Sequence, residues 1–190
     1  PSTVHKSDLV AVLENGKEVI GEADIDVPKH DPKLRIEKLF LRPAVKACPQ
    51  TVRRIKEADI VVIGPGDIFS SLMQVLLVDG TAETIKISKA KKVYVCNLMT
   101  KNGESNNFKV QDFVWQVENC LKCPLDYVIF NTNIPGKERV DSYRKEHPQF
   151  LEMVKFDGLP EDKKYIGKDL LGKDGINHDT EKLAKIILSL

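Results

Sequence analysis

The sequence has no long hydrophobic run and no excess of charge of either sign. Its apolar stretches fall short of the roughly 20 residues that a membrane-spanning helix needs, and residues 1–6 lack the apolar core of a signal peptide. The 190 residues include 29 Lys plus Arg and 28 Asp plus Glu, a formal net charge of +1, so no overall field attracts nucleic acid. These absences predict a cytoplasmic protein without a membrane span and without a nucleic-acid partner.

Cysteine is also scarce, with four residues in the chain, too few for a disulfide framework. Cys120 and Cys123 have the spacing of a redox pair, but they end a helical pattern, whereas such pairs usually open a helix. The histidines are scattered, so no metal site is predicted. A Gly-x-Ser-x-Gly elbow and a phosphate loop ending in Gly-Lys-Ser are both absent, which argues against acyl hydrolysis and ordinary nucleotide hydrolysis.

The beginning of the sequence predicts a β-hairpin. Asn15 and Gly16 tolerate the left-handed conformation of a two-residue turn, and strand patterns flank them at 8–13 and 18–25. A third strand is predicted at 35–41, ended by Pro43. Residues 1–43 should therefore form a hairpin and strand extension.

From residue 44 onward, strand and helix patterns alternate. The short apolar runs at 60–63, 93–96 and 127–130 are typical of strands in a parallel sheet covered on both faces. Helices are predicted at 49–58, 67–77, 81–90, 109–121, 137–146 and 180–190, and Asp67 is the predicted N-cap of the second. An edge strand is predicted at 150–156 and a surface loop at 157–179. The alternation indicates a single α/β domain over 1–190, whose Rossmann-like core of a parallel sheet flanked by helices spans 44–190.

Polar loops follow the three predicted parallel strands, and ligands of such sheets bind outside the carboxyl ends of the strands. In the first loop, Gly64 and Gly66 allow close backbone approach to a phosphate, and the start of the helix offers free amides. Ser70 and Ser71 add hydroxyl groups. A tight turn capped by Asp67 explains the same residues equally well.

The second loop, 97–105, is long and polar, which favours a functional role. Asn97 and Thr100 offer hydrogen bonds, Lys101 offers a positive charge, and Glu104 offers a carboxylate to a sugar hydroxyl or a metal-bound water. An ordinary turn with a solvated Glu104 remains the alternative.

In the third loop, Asn131 and Asn133 suit a base or a sugar, or alternatively the capping of a turn. If the three loops serve one ligand, Gly66, Asn97 and Asn131 should surround a single cleft at the carboxyl ends of the strands.

Several motifs together resemble the gluconeogenesis factor family, which is similar to 2-phospho-L-lactate transferase. They are Ala-Asp-Ile-Val-Val-Ile-Gly-Pro-Gly at 58–66, the following Ser71, Val-Tyr-Val-Cys-Asn-Leu-Met-Thr at 93–100, and Gly103-Glu104. The hairpin, residues 131–135, and His178-Asp179 before the last helix occur in the expected order. The resemblance therefore covers nearly the whole chain.

The resemblance implies a nucleotide site. One branch of the family binds UDP-N-acetylglucosamine and is linked to carbon metabolism, cell shape and cell-envelope synthesis; the other transfers a phospholactyl group from a guanosine diphosphate donor, for which magnesium would neutralise the diphosphate. Family members begin with a glycine-rich loop of the type Gly-Gly-Thr-Gly that this sequence lacks. It resembles their later two-thirds, so we expect a fragment of a larger member. Asp67 stands where serine is usual, beside the proposed phosphate.

Three hypotheses remain open: a nucleotide-sugar sensor, a magnesium-dependent transferase, and an interaction module that has lost its ligand site. No catalytic residue is predicted, and homodimer formation stays open. The candidate ligand-binding residues are Gly64, Pro65, Gly66, Asp67, Ser70, Ser71, Asn97, Met99, Thr100, Gly103, Glu104, Asn131 and Asn133.

Overall fold

The structure, a computed structural model, describes residues 2–173 and 175–190. The strands are β1 (Asp8–Leu13), β2 (Glu18–Ile20), β3 (Ile36–Arg42), β4 (Ile60–Ile63), β5 (Lys91–Val95), β6 (Met99–Lys101), β7 (Tyr127–Asn131), β8 (Phe150–Met153) and β9 (Tyr165–Lys168). The α-helices are α1 (Glu22–Asp26), α2 (Pro49–Glu57), α3 (Gln74–Leu76), α4 (Thr81–Ile87), α5 (Val110–Leu121), α6 (Lys137–Glu146) and α7 (Thr180–Leu188). A π-helix, Ile68–Met73, leads directly into α3.

The predicted Rossmann-like α/β class is confirmed. A four-stranded sheet has the order β4-β5-β7-β9, and all of its pairings are parallel. The strands predicted at 60–63, 93–96 and 127–130 are adjacent, as expected for continuous apolar runs. On one face, α5 buries Phe113 and Val117; on the other, α7 packs Leu183 and Ile186 against Val93, Val95 and Ile129.

The N-terminal extension is a separate antiparallel sheet with the order β2-β1-β3. The hairpin and third strand are confirmed, but the prediction of one strand over 18–25 is wrong. The strand ends at Ile20, because Gly21 adopts φ 98° and turns the chain into α1. That helix buries Ile25 and brings Asp26 towards the π-helix.

Two further predictions need correction. The segment 157–179 is not simply a loop, since it contains β9, which pairs in parallel with β7. The strand predicted at 150–156 exists as β8, but it pairs with β6 in a separate two-stranded antiparallel sheet. The polar loop after β5 therefore contains a buried strand.

Gly167 explains how β9 fits beside β7. A Cβ atom at this position would lie 2.8 Å from Phe130 Cζ and 2.8 Å from Thr132 Cγ2. The glycine that interrupts the strand pattern in the sequence is thus what allows this close approach.

None of the helices formed by residues 2–173 and 175–190 is both long enough and apolar enough to traverse a bilayer.

We expect Gly167→Ala to lower the free energy of unfolding by about 1–3 kcal/mol, since the added methyl group overpacks the contact with Phe130 and Thr132. Gly136→Ala is the matched control, because no atom lies within 4 Å of the Cβ position there. Urea denaturation measures both changes. Equal effects of the two substitutions would contradict the placement of β9 against β7.

Candidate functional site

The first two predicted loops meet at the carboxyl ends of β4 and β5. Gly64 has φ 83°, and a Cβ atom there would lie 2.7 Å from the backbone oxygen of Val95, so only glycine fits this turn. Pro65 is exposed. The amide of Gly66 donates a hydrogen bond of 3.4 Å to Asn97 Oδ1. The two loops therefore form one surface.

The start of the π-helix is capped by Glu104, a residue far from it along the chain. Glu104 Oε2 accepts hydrogen bonds from the amides of Phe69 (2.9 Å) and Ser70 (3.0 Å), and its Oε1 accepts one from Ser70 Oγ at 2.8 Å. Glu104 is only 5% exposed. Its carboxylate thus occupies the position at a helix N-terminus where an external anion would otherwise bind.

Asp67 does not cap this helix, contrary to the sequence prediction. It precedes the π-helix, but its side chain accepts no capping hydrogen bond. Its Oδ2 instead accepts a hydrogen bond of 2.7 Å from Lys101 Nζ. The Asp67 carboxylate is therefore paired with a cation that comes from β6.

Lys101 is the buried centre of an ionic cluster. Although only 4% of Lys101 is exposed, its ammonium group pairs with Asp26 and Asp67 and lies 3.4 Å from Glu104 Oε1. Ser70 Oγ, 3.2 Å from Asp26 Oδ1, adds a link to the same cluster. We call Asp26, Asp67, Ser70, Lys101 and Glu104 the Lys101 cluster.

The cluster combines one ammonium with three carboxyl groups, which sets its electrostatics. Burial opposes the charge of Lys101, but hydrogen bonds to Asp26 and Asp67 outweigh it and raise its pKa above the usual value. Burial raises the pKa of Glu104, against the opposing effects of the Ser70 hydrogen bonds and of Lys101. Lys101 consequently stays a cation at every physiological pH.

Magnesium does not fit the cluster as it stands. One oxygen from each of Asp26, Asp67 and Glu104 lies within 4.8 Å of the others, and such oxygens suit a hard divalent cation. The Lys101 ammonium already pairs with all three carboxyl groups. Lys101 therefore already supplies the positive charge that a magnesium ion would bring to these carboxyl groups.

Other candidate residues of the second loop serve packing or pairing. Thr100 Oγ1 makes 3.3 Å hydrogen bonds with both the backbone oxygen and the amide of Glu152, joining β6 to β8. Met99 is buried in an apolar cluster with Leu98. Gly103 packs so closely on Pro28 that a Cβ atom would come within 2.6 Å of its Cγ.

Of the two serines predicted in the first loop, Ser71 is exposed whereas Ser70 is buried.

The asparagines of the third loop hold the ends of β7 and β9 together. Asn131 Oδ1 accepts hydrogen bonds from the amides of Asn133 (3.2 Å) and Leu170 (3.0 Å). Asn133 Nδ2 donates to Asp169 Oδ1 at 3.1 Å. Because β7 runs parallel to β5, this loop ends at the same edge of the sheet as Asn97.

Sequence reasoning left Asp26 and Lys101 out of the site. Asp26 falls just beyond the strand predicted at 18–25, and Lys101 offered only a positive charge in a polar loop. In a strand, residues two positions apart lie on the same face. The apolar Met99 therefore indicates that Lys101 faces the interior, and this is the sequence signal for its burial. No sequence feature pairs Lys101 with Asp26 and Asp67, because these residues lie 75 and 34 positions away along the chain.

His178 is a half-buried titratable group close to Cys96. Its Nε2 is buried and has no hydrogen-bond partner among the described residues. Burial lowers the pKa of His178, partly offset by a hydrogen bond to the backbone of Cys96. The imidazole is therefore neutral at pH 7. The following Asp179 caps α7 by accepting from the amides of Glu181 and Lys182.

With this geometry in place, comparison with known proteins identifies the family. The family model described as 2-phospho-L-lactate transferase CofD matches residues 1–171. The chain belongs to this family. A relative from Thermotoga maritima is 37% identical over 98% of this chain, and the gluconeogenesis factor of Bacillus subtilis is 33% identical over 96% of it.

A solved structure shares the fold of this CofD family member. A Bacillus halodurans protein of the UPF0052 family superposes with a TM-score of 0.86 at 28% identity and covers 99% of this chain. The chain spans 60% of that protein, 60% of the Thermotoga relative and 57% of the Bacillus subtilis factor. The family thus includes a large part that these residues do not match.

Lys101→Ala should lower the free energy of unfolding by about 3–5 kcal/mol, because it leaves the buried Glu104 and the half-buried Asp26 and Asp67 without their cation. Millimolar Ca²⁺ should then raise the denaturation midpoint of the variant but not of the unmodified chain, since the carboxylates become available as metal ligands. Chemical denaturation with and without Ca²⁺ measures both effects.

Lys164→Ala provides the control for this experiment. Lys164 pairs with Glu118 at 2.9 Å but is more exposed, so its removal should cost roughly 1 kcal/mol or less and gain nothing from Ca²⁺. A similar loss for both variants would contradict the central role of Lys101.

Asp67→Ser tests the corrected role of Asp67. If the carboxylate only capped a helix, serine would replace it at little cost. As a partner of a buried ammonium, its loss should cost about 1–3 kcal/mol. Asp179→Ser is the matched control at a true N-cap, where we expect a change within roughly 0.5 kcal/mol. Thermal or urea unfolding of the two variants would refute the ion-pair role if both changes were equally small.

Proposed function

We propose that this chain forms part of a nucleotide-sugar-binding regulatory protein of the gluconeogenesis factor type. Its ligand is of the UDP-N-acetylglucosamine type, and it acts in the cytoplasm on carbon metabolism and cell-envelope synthesis. The observation that carries the proposal is the contact between the Gly66 amide and Asn97 at the carboxyl ends of β4 and β5. Ligands of open parallel sheets bind at this edge.

The groups suited to phosphate are backbone and neutral side-chain donors. The turn at Gly64, Pro65 and Gly66 lets a ligand approach the main chain, and the exposed Ser71 adds a hydroxyl. Asn97 uses its oxygen for Gly66, so its amide NH₂ group can donate to the ligand. Asn131 and Asn133 extend the same edge towards a sugar or base.

The Lys101 cluster makes this assignment electrostatically reasonable. A free Asp67 carboxylate would repel a diphosphate, but here it accepts a hydrogen bond from the Lys101 ammonium, which offsets its negative charge. Ser70 and Glu104 support the loop from within, and Met99, Thr100 and Gly103 fix β6 beneath it. An internal ammonium thus takes the role that a screening magnesium ion would have.

A transferase is the second candidate, favoured by the description of the matching family model, 2-phospho-L-lactate transferase CofD. It would move a phospholactyl group from a nucleotide diphosphate donor and use magnesium to neutralise the diphosphate. The three clustered carboxyl groups hold Lys101 instead of a metal. This favours the sensor over the transferase for the chain described.

Calorimetry with UDP-N-acetylglucosamine, GDP and a phospholactyl donor, each with and without Mg²⁺, tests the proposal. We expect UDP-N-acetylglucosamine to bind without Mg²⁺ and without turnover. Asn97→Ala should weaken binding by about tenfold, as expected for one lost hydrogen bond. Asn119→Ala, which changes an exposed asparagine on α5, should leave it unchanged.

The other outcomes separate the rival functions. Mg²⁺-dependent release of the phospholactyl group would establish the transferase. A folded chain that binds none of the three ligands at millimolar concentration would leave the interaction module as the function.

A further inference from the structure

A groove of about 970 Å³ lies between the edge strand β3 and the helix α5. β3 pairs with β1 on one side, and no other described strand pairs with its opposite side. The first residues of β3, 36–39, all line the groove, as do the preceding residues 32–35. Because successive side chains of a strand alternate between its two faces, a lining without gaps follows the edge of the strand. The unpaired backbone groups of β3 therefore border the groove.

One side of α5 forms the opposite wall. Its lining residues have the spacing of a single helix face: Asp112, Trp115, Gln116 and Asn119. Trp115 is 61% exposed. The apolar side chains of Phe69, Met73 and Phe108 also line the groove, and Phe108 meets Phe69 edge to face with their ring centroids 6.3 Å apart. An exposed tryptophan beside packed aromatic side chains is typical of a surface that binds a partner.

The charged residues that line the groove are mostly basic. The cationic residues are Lys33, Arg35, Lys38 and Lys122. The acidic residues are Glu37, Asp112 and Glu104. Glu104 is buried beside Lys101, and Arg35 pairs with Glu14 at 3.0 Å. The three lysines are exposed, so the groove favours a negatively charged partner.

We propose that this groove binds an extended peptide segment of a partner protein, and that the segment carries acidic residues and an apolar anchor. The segment pairs with the free edge of β3 as an added strand, and its anchor packs against Trp115. When a peptide adds a strand to a sheet edge, main-chain hydrogen bonds provide affinity and side-chain contacts provide specificity. Charges on an edge discourage indiscriminate pairing, so Glu37 and Lys38 restrict which segments can bind.

A second copy of this chain fits the groove less well. Two copies related by a two-fold axis would bring the same surface against itself. The exposed Lys33, Lys38 and Lys122 would then face like charges, which disfavours the contact. The groove is also separate from the proposed ligand contacts, since Gly66 and Asn97 are not among its lining residues.

Selection from random heptapeptides displayed on phage tests the proposal, with the purified 190-residue chain as the target. We expect the enriched sequences to carry a net negative charge and apolar residues at alternate positions. A synthetic peptide of the most enriched sequence is then titrated into the chain. Because Trp115 is the sole tryptophan, a saturable blue shift of its emission reports that the groove is occupied. Added salt should weaken the binding.

Two variants test the contacts of that peptide by calorimetry. Lys33→Glu should weaken binding by at least about threefold, because it reverses one charge beside the groove. Trp115→Ala should weaken it by at least about tenfold, because it removes the aromatic contact. The matched controls are Lys89→Glu and Ile87→Ala, since both residues are exposed and neither lines the groove. Each control should leave the affinity within about twofold, and thermal unfolding checks that all four variants remain folded.

Backbone N-methylation of the peptide separates strand pairing from other kinds of docking. A strand that pairs along one edge uses alternate amides, so methylation of either the odd or the even positions should abolish binding while the other set has little effect. The proposal is overturned if no acidic peptide is enriched, if both methylated peptides bind as well as the parent, or if Lys33→Glu binds as well as the unmodified chain. Dimers of the isolated chain that Trp115→Ala dissociates would also overturn it.

Discussion

The ion pairs of Lys101 organise the structure around the site. The ammonium joins Asp26 of the N-terminal extension, Asp67 at the end of the first loop, and Glu104 of the second loop. Burying an isolated charge is very unfavourable, so these segments must assemble together to make the cluster acceptable. Ser70 ties the π-helix to the same cluster. One cation therefore fixes the N-terminal sheet, the π-helix and β6 relative to one another.

The cluster also determines which groups remain for a ligand. Since Glu104 fills the N-terminus of the π-helix, the amides of Phe69 and Ser70 are no longer available to a phosphate. The main chain around Gly64 and Gly66 and the side chain of Asn97 remain at the carboxyl edge of the sheet. Binding would thus depend on neutral donors, with Lys101 reducing the repulsion from Asp67 through their ion pair.

Local sequence patterns predicted the strands and turns in which the polarity of the residues matches their burial. The apolar runs at 60–63 and 93–96 predicted strands of a parallel sheet, and Asn15-Gly16 predicted the hairpin. The predictions failed where polar residues are buried or where a glycine lies within a strand. Thr100 and Lys101 read as loop residues, yet both are buried in β6, and Gly167 interrupts a strand that needs it for close packing. The pairing of Lys101 with Asp26 and Asp67 could not be predicted, because it depends on contacts between residues far apart along the chain.

In β4, composition and burial disagree in the opposite direction. Its four β-branched residues have the composition of a strand covered on both faces, yet Ile63 is 6% exposed and the neighbouring Val62 is 43% exposed. Strands of this composition are usually covered on both faces, and an uncovered apolar edge can pair with other chains. Among the described residues, β4 thus has the composition of an interior strand although it lies at an edge of its sheet.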